Sequence, residues 1–566
     1  MDKIQHDEIL SHGASPADAP SGAALEAEFD VFTTRLHMEV PADLKGGVLR
    51  GYQGLREMAS RLREVPVQDV PRAPSRATAG PEVVAVPSSV EPPADAMHEL
   101  SVRQAGALLR AGELSSVELT RHALDRIARL DPALHAFILV TEQTALARAE
   151  AADRDLRSGI DHGPMHGIPY ALKDIFDAEG VPTTNASWLC MDNVADADST
   201  VEGRLRAGGG VGLGKLTTFE FALGGPSFEL PVPPAKNPWS DDHVPSGSSS
   251  GAGTAVAAGL VRVAVASDTT GSIRGPAFHC GVVGLKPTFG RVSGHGAQPL
   301  SRTLDHFGTL SWSVDDTAAL LQVIAGPDPA DPRTTGGPRS DYLTSLDSGV
   351  AGLRIASAPG WYAEDPTTIP EILDGITHAL GVLDGLGATV DEVALPPYDM
   401  FNGCGRILFA AEAFAAYEDT LRRHAKTLAR FTYQRMMPGA GVAAADLLRA
   451  HEVRRWLTHQ VDESVFDRHD VLVMASGQTT AARWSEFPLN WPPPKMVNDM
   501  LAIPFNVTGH PALSLPIGLA GNGLPIGLHI IGRHFDEATV FRVAAALERA
   551  LAERRRRPPE PEKVVS

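Results

Sequence analysis

The chain has 566 residues, a formal net charge of -19, 43% hydrophobic and 21% charged residues, an ordinary globular composition long enough for one large core or several domains. Its excess of acid over scattered Lys and Arg excludes a nucleic-acid-binding surface, and three distant cysteines, Cys190, Cys280 and Cys404, exclude a disulfide framework or a CxxC-type metal site. No uninterrupted run of about 18 apolar residues occurs and the first twenty residues carry no apolar signal core, so a cytoplasmic protein with no membrane partner is expected.

Residues 1 to about 23 are rich in Ala, Ser, Pro and Asp and read as a mobile end. Leu25, Phe29, Phe32 and Leu36 then recur at helical spacing, and Val48, Tyr52, Leu55, Ala59 and Leu62 form the apolar face of a second helix. Two helices bury too little surface to stand alone, so residues 1–65 are a helical extension expected to dock on something larger. Residues 66–96 are punctuated by proline and read as an extended linker. The main domain, 97–566, opens with helical periodicity and a capping-box pattern at Ser115 and Glu118. Strands are predicted at Ala136 to Val140 and Ile168 to Leu172, with a helix from Thr141 to Leu156 between them. Val261 to Ala266 reads as a buried strand, Asn522-Gly523 as the turn of a hairpin joining two apolar runs, and a last helix begins near Asp536. The basic run Arg554 to Arg557 is expected to be a solvated tail. No repeat of 20–50 residues is visible, and the fold class is α/β.

Chemistry concentrates between Val244 and Arg291. Acyl transfer requires a nucleophile, a base within reach and donors aimed at the oxygen that becomes negative. Ser272 follows the buried strand in the tight turn Asp268-Thr-Thr-Gly-Ser, whose backbone N–H groups at Thr269, Thr270 and Gly271 are the candidate oxyanion donors. Lys173 stands at the end of another apolar strand, where burial lowers an amine's pKa from about 10.4 toward the range of a useful base. Ser248, in a Ser/Gly-rich turn, would pass a proton between them.

The stretch resembles the amidase signature family. The resemblance rests on "GIPYALKD" at Gly167–Asp174, the Gly/Ser turn at Ser248, the "DTTGSIR" turn 24 residues on at Ser272, "GKLTTFEFALGG" from Gly214, "NPW" at Asn237, "GVVGLKPTFGRVS" from Gly281 and "PFNVTGHPALSLPIGL" from Pro504. It spans about Met97 to Ala552. It implies a large mixed, twisted sheet covered by helices on both faces, and a Ser, cis-Ser, Lys triad. In that triad Ser272 is the acylated nucleophile, Ser248 the relay with a cis peptide bond and Lys173 the base. Thr270 stands where the family usually has glycine, a change that is harmless only with negative φ. Ser246 and Ser250 also replace more usual glycines. The N-terminal stretch with "VLRGYQGLREMASRLR" resembles the small accessory subunits of carboxybiuret-hydrolase-type amidases.

Other signals carry less. Gly247-Ser-Ser-Ser-Gly251 satisfies GxSxG around Ser249, but polar, proline-bearing residues precede it instead of a buried strand. Gly209 to Lys215 fits GxxxxGK but is followed by Leu216, not Ser or Thr. His162 and His166 enclose Gly163-Pro164, which denies them a shared helix face, and no metal or other cofactor is expected. Asp268 and Arg274 read as a structural pair, His279 as structural, and His510 as a weak candidate for the pocket. The aromatic and Met-rich segment from Tyr398 to Ile503 reads as a pocket wall. The expected function is hydrolysis of a C–N bond in a small amide, carbamate or urea. The A-type subunit of a glutamine-dependent amidotransferase and a non-catalytic binding protein are the alternatives. A homodimer is compatible with N-terminal helices packing across subunits.

Overall fold

The computed structural model describes residues 22–67, 94–334, 340–486 and 500–561. Most of the expected linker, the N-terminal 21 residues, Phe487 and Trp491 lie outside the described residues. The strands are β1 (Phe137–Val140), β2 (Pro169–Lys173), β3 (Val211–Leu216), β4 (Val263–Asp268), β5 (Val283–Lys286), β6 (His306–Ser311), β7 (Arg354–Ser357), β8 (Thr389–Glu392), β9 (Val471–Ala475), β10 (Ala512–Leu519) and β11 (Pro525–Gly532). They form one mixed sheet in the order β1-β3-β2-β4-β6-β5-β10-β11-β9-β7-β8. Central β2, β4, β5, β6, β9 and β11 are buried along their whole lengths, as expected of strands covered by helices on both faces. Asn522-Gly523 turns the β10–β11 hairpin, with Gly523 at φ +80°.

The parallel pairing of β2 with β4, Tyr170 opposite Val263 and Leu172 opposite Val265, brings their C-terminal ends to the same edge of the sheet. Lys173 and Asp268 are the last residues of those strands, so the turn after β4 lies beside Lys173. The Ser250–Ala257 helix, buried at every residue, packs into the space above them. Its small residues are required: a Cβ on Gly251 would lie 2.3 Å from the Ala136 carbonyl oxygen, and one on Gly253 would lie 2.9 Å from Pro276.

The N-terminal pair, Gly22–Arg35 and Ala42–Glu64, docks against the Tyr398–His424, Arg430–Met436 and Ala444–Val461 helices. Phe29 and Tyr52 pack as a tilted ring pair with centroids 4.9 Å apart, and Leu25, Val48, Ala59 and Leu62 are buried with them. Gly47 and Gly51 allow close approach, since a Cβ at either would lie under 3.0 Å from Gln434 or Pro438. The Arg554 to Arg557 run departs from expectation. Arg555 and Arg557 lie over the Trp312 ring, at 4.5 and 3.9 Å from its centroid, and pair with Glu548 and Glu99. A carboxylate partner and an aromatic face hold these arginines against the domain instead of leaving them in water.

Candidate active site

Lys173, Ser248 and Ser272 come together from three elements. Lys173 is fully buried, and its Nζ donates to Ser248 Oγ at 2.8 Å and to Ser267 Oγ at 2.9 Å. Burial pushes its pKa down to about 7 against the opposing pull of the Asp268 and Asp305 carboxylates. The Gly247–Ser248 peptide is cis, and Gly247 has no room for a side chain because a Cβ would lie 2.3 Å from the Phe219 ring. The Ser249 N–H donates to the Ser272 carbonyl at 3.3 Å, which ties the two serine-bearing turns together. Ser248, Thr269, Thr270, Gly271 and Ser272 line one cavity of about 670 Å³, open mouth included. Ser272 Oγ has no hydrogen-bond partner among the described residues, so its contact with Ser248 is not closed here. Catalytic hydrogen bonds commonly tighten only when substrate is bound.

The turn after β4 is held by a buried anchor. Asp268 accepts from the N–H groups of Gly271 (2.8 Å), Ile273 (3.2 Å) and Arg274 (3.4 Å), from the Arg274 guanidinium through two 3.0 Å bonds, and from Asn506 Nδ2 (2.8 Å). Despite its burial, the Arg274 charge and these donors hold the carboxyl far below the usual carboxylate range. Thr269 Oγ1 donates to Asp305 Oδ1 at 2.8 Å, and burial raises the Asp305 pKa to about 6. One expected donor is therefore corrected: the Gly271 N–H is already committed to Asp268. Among the described residues the N–H groups of Thr269, Thr270 and Ser272 have no acceptor, and all three residues line the cavity. Gly271 is needed for its backbone at φ +124°, and a Cβ there would meet Ala502 at 2.8 Å. Thr270 keeps negative φ, so its side chain costs the turn nothing, whereas Ser246 adopts φ +67° where glycine would be relaxed.

The competing motifs resolve into structure. Ser249 Oγ donates to the Ser267 carbonyl at 3.2 Å, and Ser249 does not line the cavity. Lys215 is buried on β3 with Asp174 at 2.9 Å. His162 and His166 do meet, ring centroids 4.7 Å apart, with Asp155 nearby; the loop through Gly163-Pro164 folds back and does what a helix face would otherwise do. His510 bonds Thr508 and Asp462 behind β10 and does not reach the cavity. Of the segment expected as a pocket wall, Tyr398, Phe409, Met500 and Ile503 line the cavity, while Phe401, Phe414, Met436 and Met437 are buried in the core and Trp484 lies outside it against Phe228. Sequence reading missed Ser267, Asp305, Arg406 and Arg435, none of which stands in a motif with a chemical signature.

Residues 118–541 match the family profile described as Amidase. The A-type subunit of the glutamyl-tRNA(Gln) amidotransferase of Lysinibacillus sphaericus (strain C3-41) is 37% identical over 481 residues, covering 80% of this chain and 97% of that protein. Its counterpart in Chloroflexus aurantiacus (strain ATCC 29366 / DSM 635 / J-10-fl) is 38% identical over the same length, covering 80% and 97%. Among solved structures, the native peptide amidase from Stenotrophomonas maltophilia aligns with a TM-score of 0.72 and 32% identity, over 82% of this chain and 99% of that one. A chain from the vestigial protein complex tied to the evolutionary origins of an s-triazine catabolic enzyme aligns with a TM-score of 0.73 and 31% identity, over 78% and 97%. With a profile match across most of its length, and a mixed sheet carrying the serine and lysine turns, this chain belongs to the amidase signature family, enzymes that act on the carbon–nitrogen bonds of amides.

Proposed function

We propose that the protein hydrolyses a small amide through an acyl-enzyme on Ser272, with Ser248 as proton relay and neutral Lys173 as base. The observation that carries this reading is the buried Lys173 amine, its pKa near 7, 2.8 Å from Ser248 Oγ in the wall of the cavity that also holds Ser272. Ser272 Oγ attacks the carbonyl carbon as its proton moves to Ser248, whose own proton passes to Lys173. The carbonyl oxygen becomes negative against the N–H groups of Thr269, Thr270 and Ser272, donors held in place by the turn after β4. Collapse breaks the C–N bond, and the proton held by Lys173 returns through Ser248 to the leaving amine. Water then repeats the attack on the ester and frees Ser272.

A second reading, the A-type subunit of a glutamine-dependent amidotransferase, is favoured by the names of the curated relatives. It uses the same acyl-enzyme but delivers ammonia to an acceptor held by partner subunits. Ammonia release by the purified chain separates the two. Turnover of simple primary amides without any partner, lost in Ser272→Ala, supports the stand-alone amidase. Release from L-glutamine alone, and only with partner subunits added, supports the amidotransferase. No release under either condition contradicts both.

A further inference from the structure

Behind β10, outside the cavity that holds Ser272, three side chains able to ligate a metal converge. Asp462 opens the turn after the Ala444–Val461 helix, His510 precedes β10 and His534 follows β11, so all three meet at the open end of the β10–β11 hairpin. One ligand atom from each lies within 4.8 Å of those of the other two. They come from separate elements and share no motif spacing, so nothing in the sequence marks them. His510 is fully buried, whereas Asp462 and His534 are partly exposed and open the cluster to solvent on one side.

Thr508 holds both imidazoles. His534 Nε2 lies 2.9 Å from the Thr508 carbonyl, which can only accept, so the ring proton sits on Nε2. Nδ1 of His534 keeps its lone pair and has no hydrogen-bond partner among the described residues. His510 Nδ1 lies 2.9 Å from Thr508 Oγ1, and its Nε2 lies 3.0 Å from Asp462 Oδ1. Metal-ligating histidines are held this way, one ring nitrogen on a protein oxygen and the other turned to the ion. Ligands about 2.0–2.2 Å from a tetrahedral zinc ion sit about 3.3–3.5 Å from one another, so the His510–Asp462 pair needs to open only slightly. The partly exposed His534 side chain draws in to complete the set. The cluster of Asp155, His162 and His166 is not equivalent. His166 Nδ1 already accepts from the His162 backbone N–H at 3.1 Å, and its buried Nε2 faces Gly209, so it has no nitrogen to offer.

We propose that Asp462, His510 and His534 form a zinc site, a two-histidine, one-carboxylate set that leaves the fourth tetrahedral position to water. Imidazole and carboxylate together suit zinc, whereas magnesium and calcium take oxygen ligands alone. On binding, the single ring proton of His510 moves from Nε2 to Nδ1, and Thr508 Oγ1 turns from donor to acceptor. Zinc then replaces the proton between Nε2 and Asp462 Oδ1, and no net proton leaves the protein. The ion pins the end of the Ala444–Val461 helix to the hairpin through residues that do not line the catalytic cavity, so it acts as a clip on the fold. Thr508 stands two residues from Asn506, which holds the Asp268 carboxylate, so the clip also steadies the anchor of the Ser272 turn.

The test uses the untagged full-length protein, freed of metal with a chelator. Zinc is titrated by calorimetry and thermal melts beside magnesium and calcium, and cobalt(II) reports the ligand set through its visible absorption. One equivalent of zinc should bind and raise the melting temperature, while magnesium and calcium do neither. Asp462→Asn and His534→Ala should each weaken zinc binding at least about 100-fold, and Thr508→Val, which removes a hydroxyl but no ligand, about 10-fold. Metal-free melts confirm that these variants fold. His162→Ala should bind zinc as the wild type does. Equal, weak binding to the wild type and all variants would mark an adventitious ion only and overturn the site. Loss of binding in His162→Ala, with retention in Asp462→Asn and His534→Ala, would move the ion to the other cluster and also overturn it, as would no binding at millimolar zinc. None of these outcomes depends on the amidase reading.

Discussion

Lys173 gives the clearest case of one residue whose burial decides its chemistry. An amine in water stays charged until about pH 10.4 and has no lone pair to offer at neutrality. Buried at the end of β2, it gives up its proton near pH 7. The rate should therefore rise with pH as Lys173 becomes neutral and level off above about 7, in a profile of kcat/KM. A profile flat from about pH 5.5 to 8.5 would count against a lysine base. Because the unfolded chain binds this proton up to about 10.4 and the folded chain only to about 7, the cost of burying Lys173 falls away as pH rises through that window, and stability rises with it. Lys173→Ala should lower kcat by about 10²- to 10⁴-fold, the usual worth of a positioned acid or base. Ser246 offers a stability test at the neighbouring turn. Its φ of +67° is strained for a residue with a Cβ, so Ser246→Gly should stabilise the fold by up to about 1 kcal/mol after the extra entropy of an unfolded glycine is subtracted, read as a higher melting temperature. A lower melting temperature would show that the serine side chain contributes more than its backbone costs.

Among the elements, the N-terminal helices have a definite place: they brace the Tyr398–His424 and Arg430–Met436 helices, which line the cavity, and the Ala444–Val461 helix packed beside them. Arg449 Nε donates to the Leu62 carbonyl at 3.1 Å, Gln434 Nε2 to the Leu44 carbonyl at 3.3 Å, and Arg63 Nε to Asp446 at 2.9 Å. Tyr52, buried against Phe29 with its hydroxyl on Glu28 at 2.7 Å, is the centre of that packing. Tyr52→Ala should cost about 3–5 kcal/mol of stability, read by denaturant unfolding, and raise KM more than it lowers kcat. An unchanged melt and KM would mean that the extension is not coupled to the wall. Legibility varied among elements for physical reasons. The capping box at Ser115 and Glu118 and the Asn522-Gly523 hairpin were readable because a few adjacent residues determine them. Strand β8, Thr389–Glu392, is polar and mostly exposed at the sheet's edge. No alternation marks it, because pairing with β7 and not a buried face makes it a strand.

For the whole molecule, the sheet's topology brings Lys173 and Ser272, about a hundred positions apart in the chain, to one edge, where helices from farther along complete the cavity. Lys173, Ser248 and Ser272 were readable because strand, turn and spacing each leave a local trace. Arg406 and Arg435 were not, since an arginine on a helix looks the same in sequence whether it faces water or a cavity. The Gly271 N–H was assigned wrongly for a similar reason: turn residues announce a nest, but only the position of the Asp268 carboxylate shows which N–H is already taken. About four-fifths of this chain accounts for nearly the full length of the curated amidotransferase subunits, and the family profile begins only at residue 118, after the braced N-terminal helices. The central claim, that Ser272 is a nucleophile activated through Ser248 by Lys173, is tested most directly by intact-protein mass spectrometry after exposure to a fluorophosphonate. The account predicts one adduct on the wild type that maps to the Ser272 peptide, is absent from Ser272→Ala and is strongly slowed in Lys173→Ala. No adduct on the wild type while a control serine hydrolase reacts, or an adduct that persists in Ser272→Ala, would contradict it.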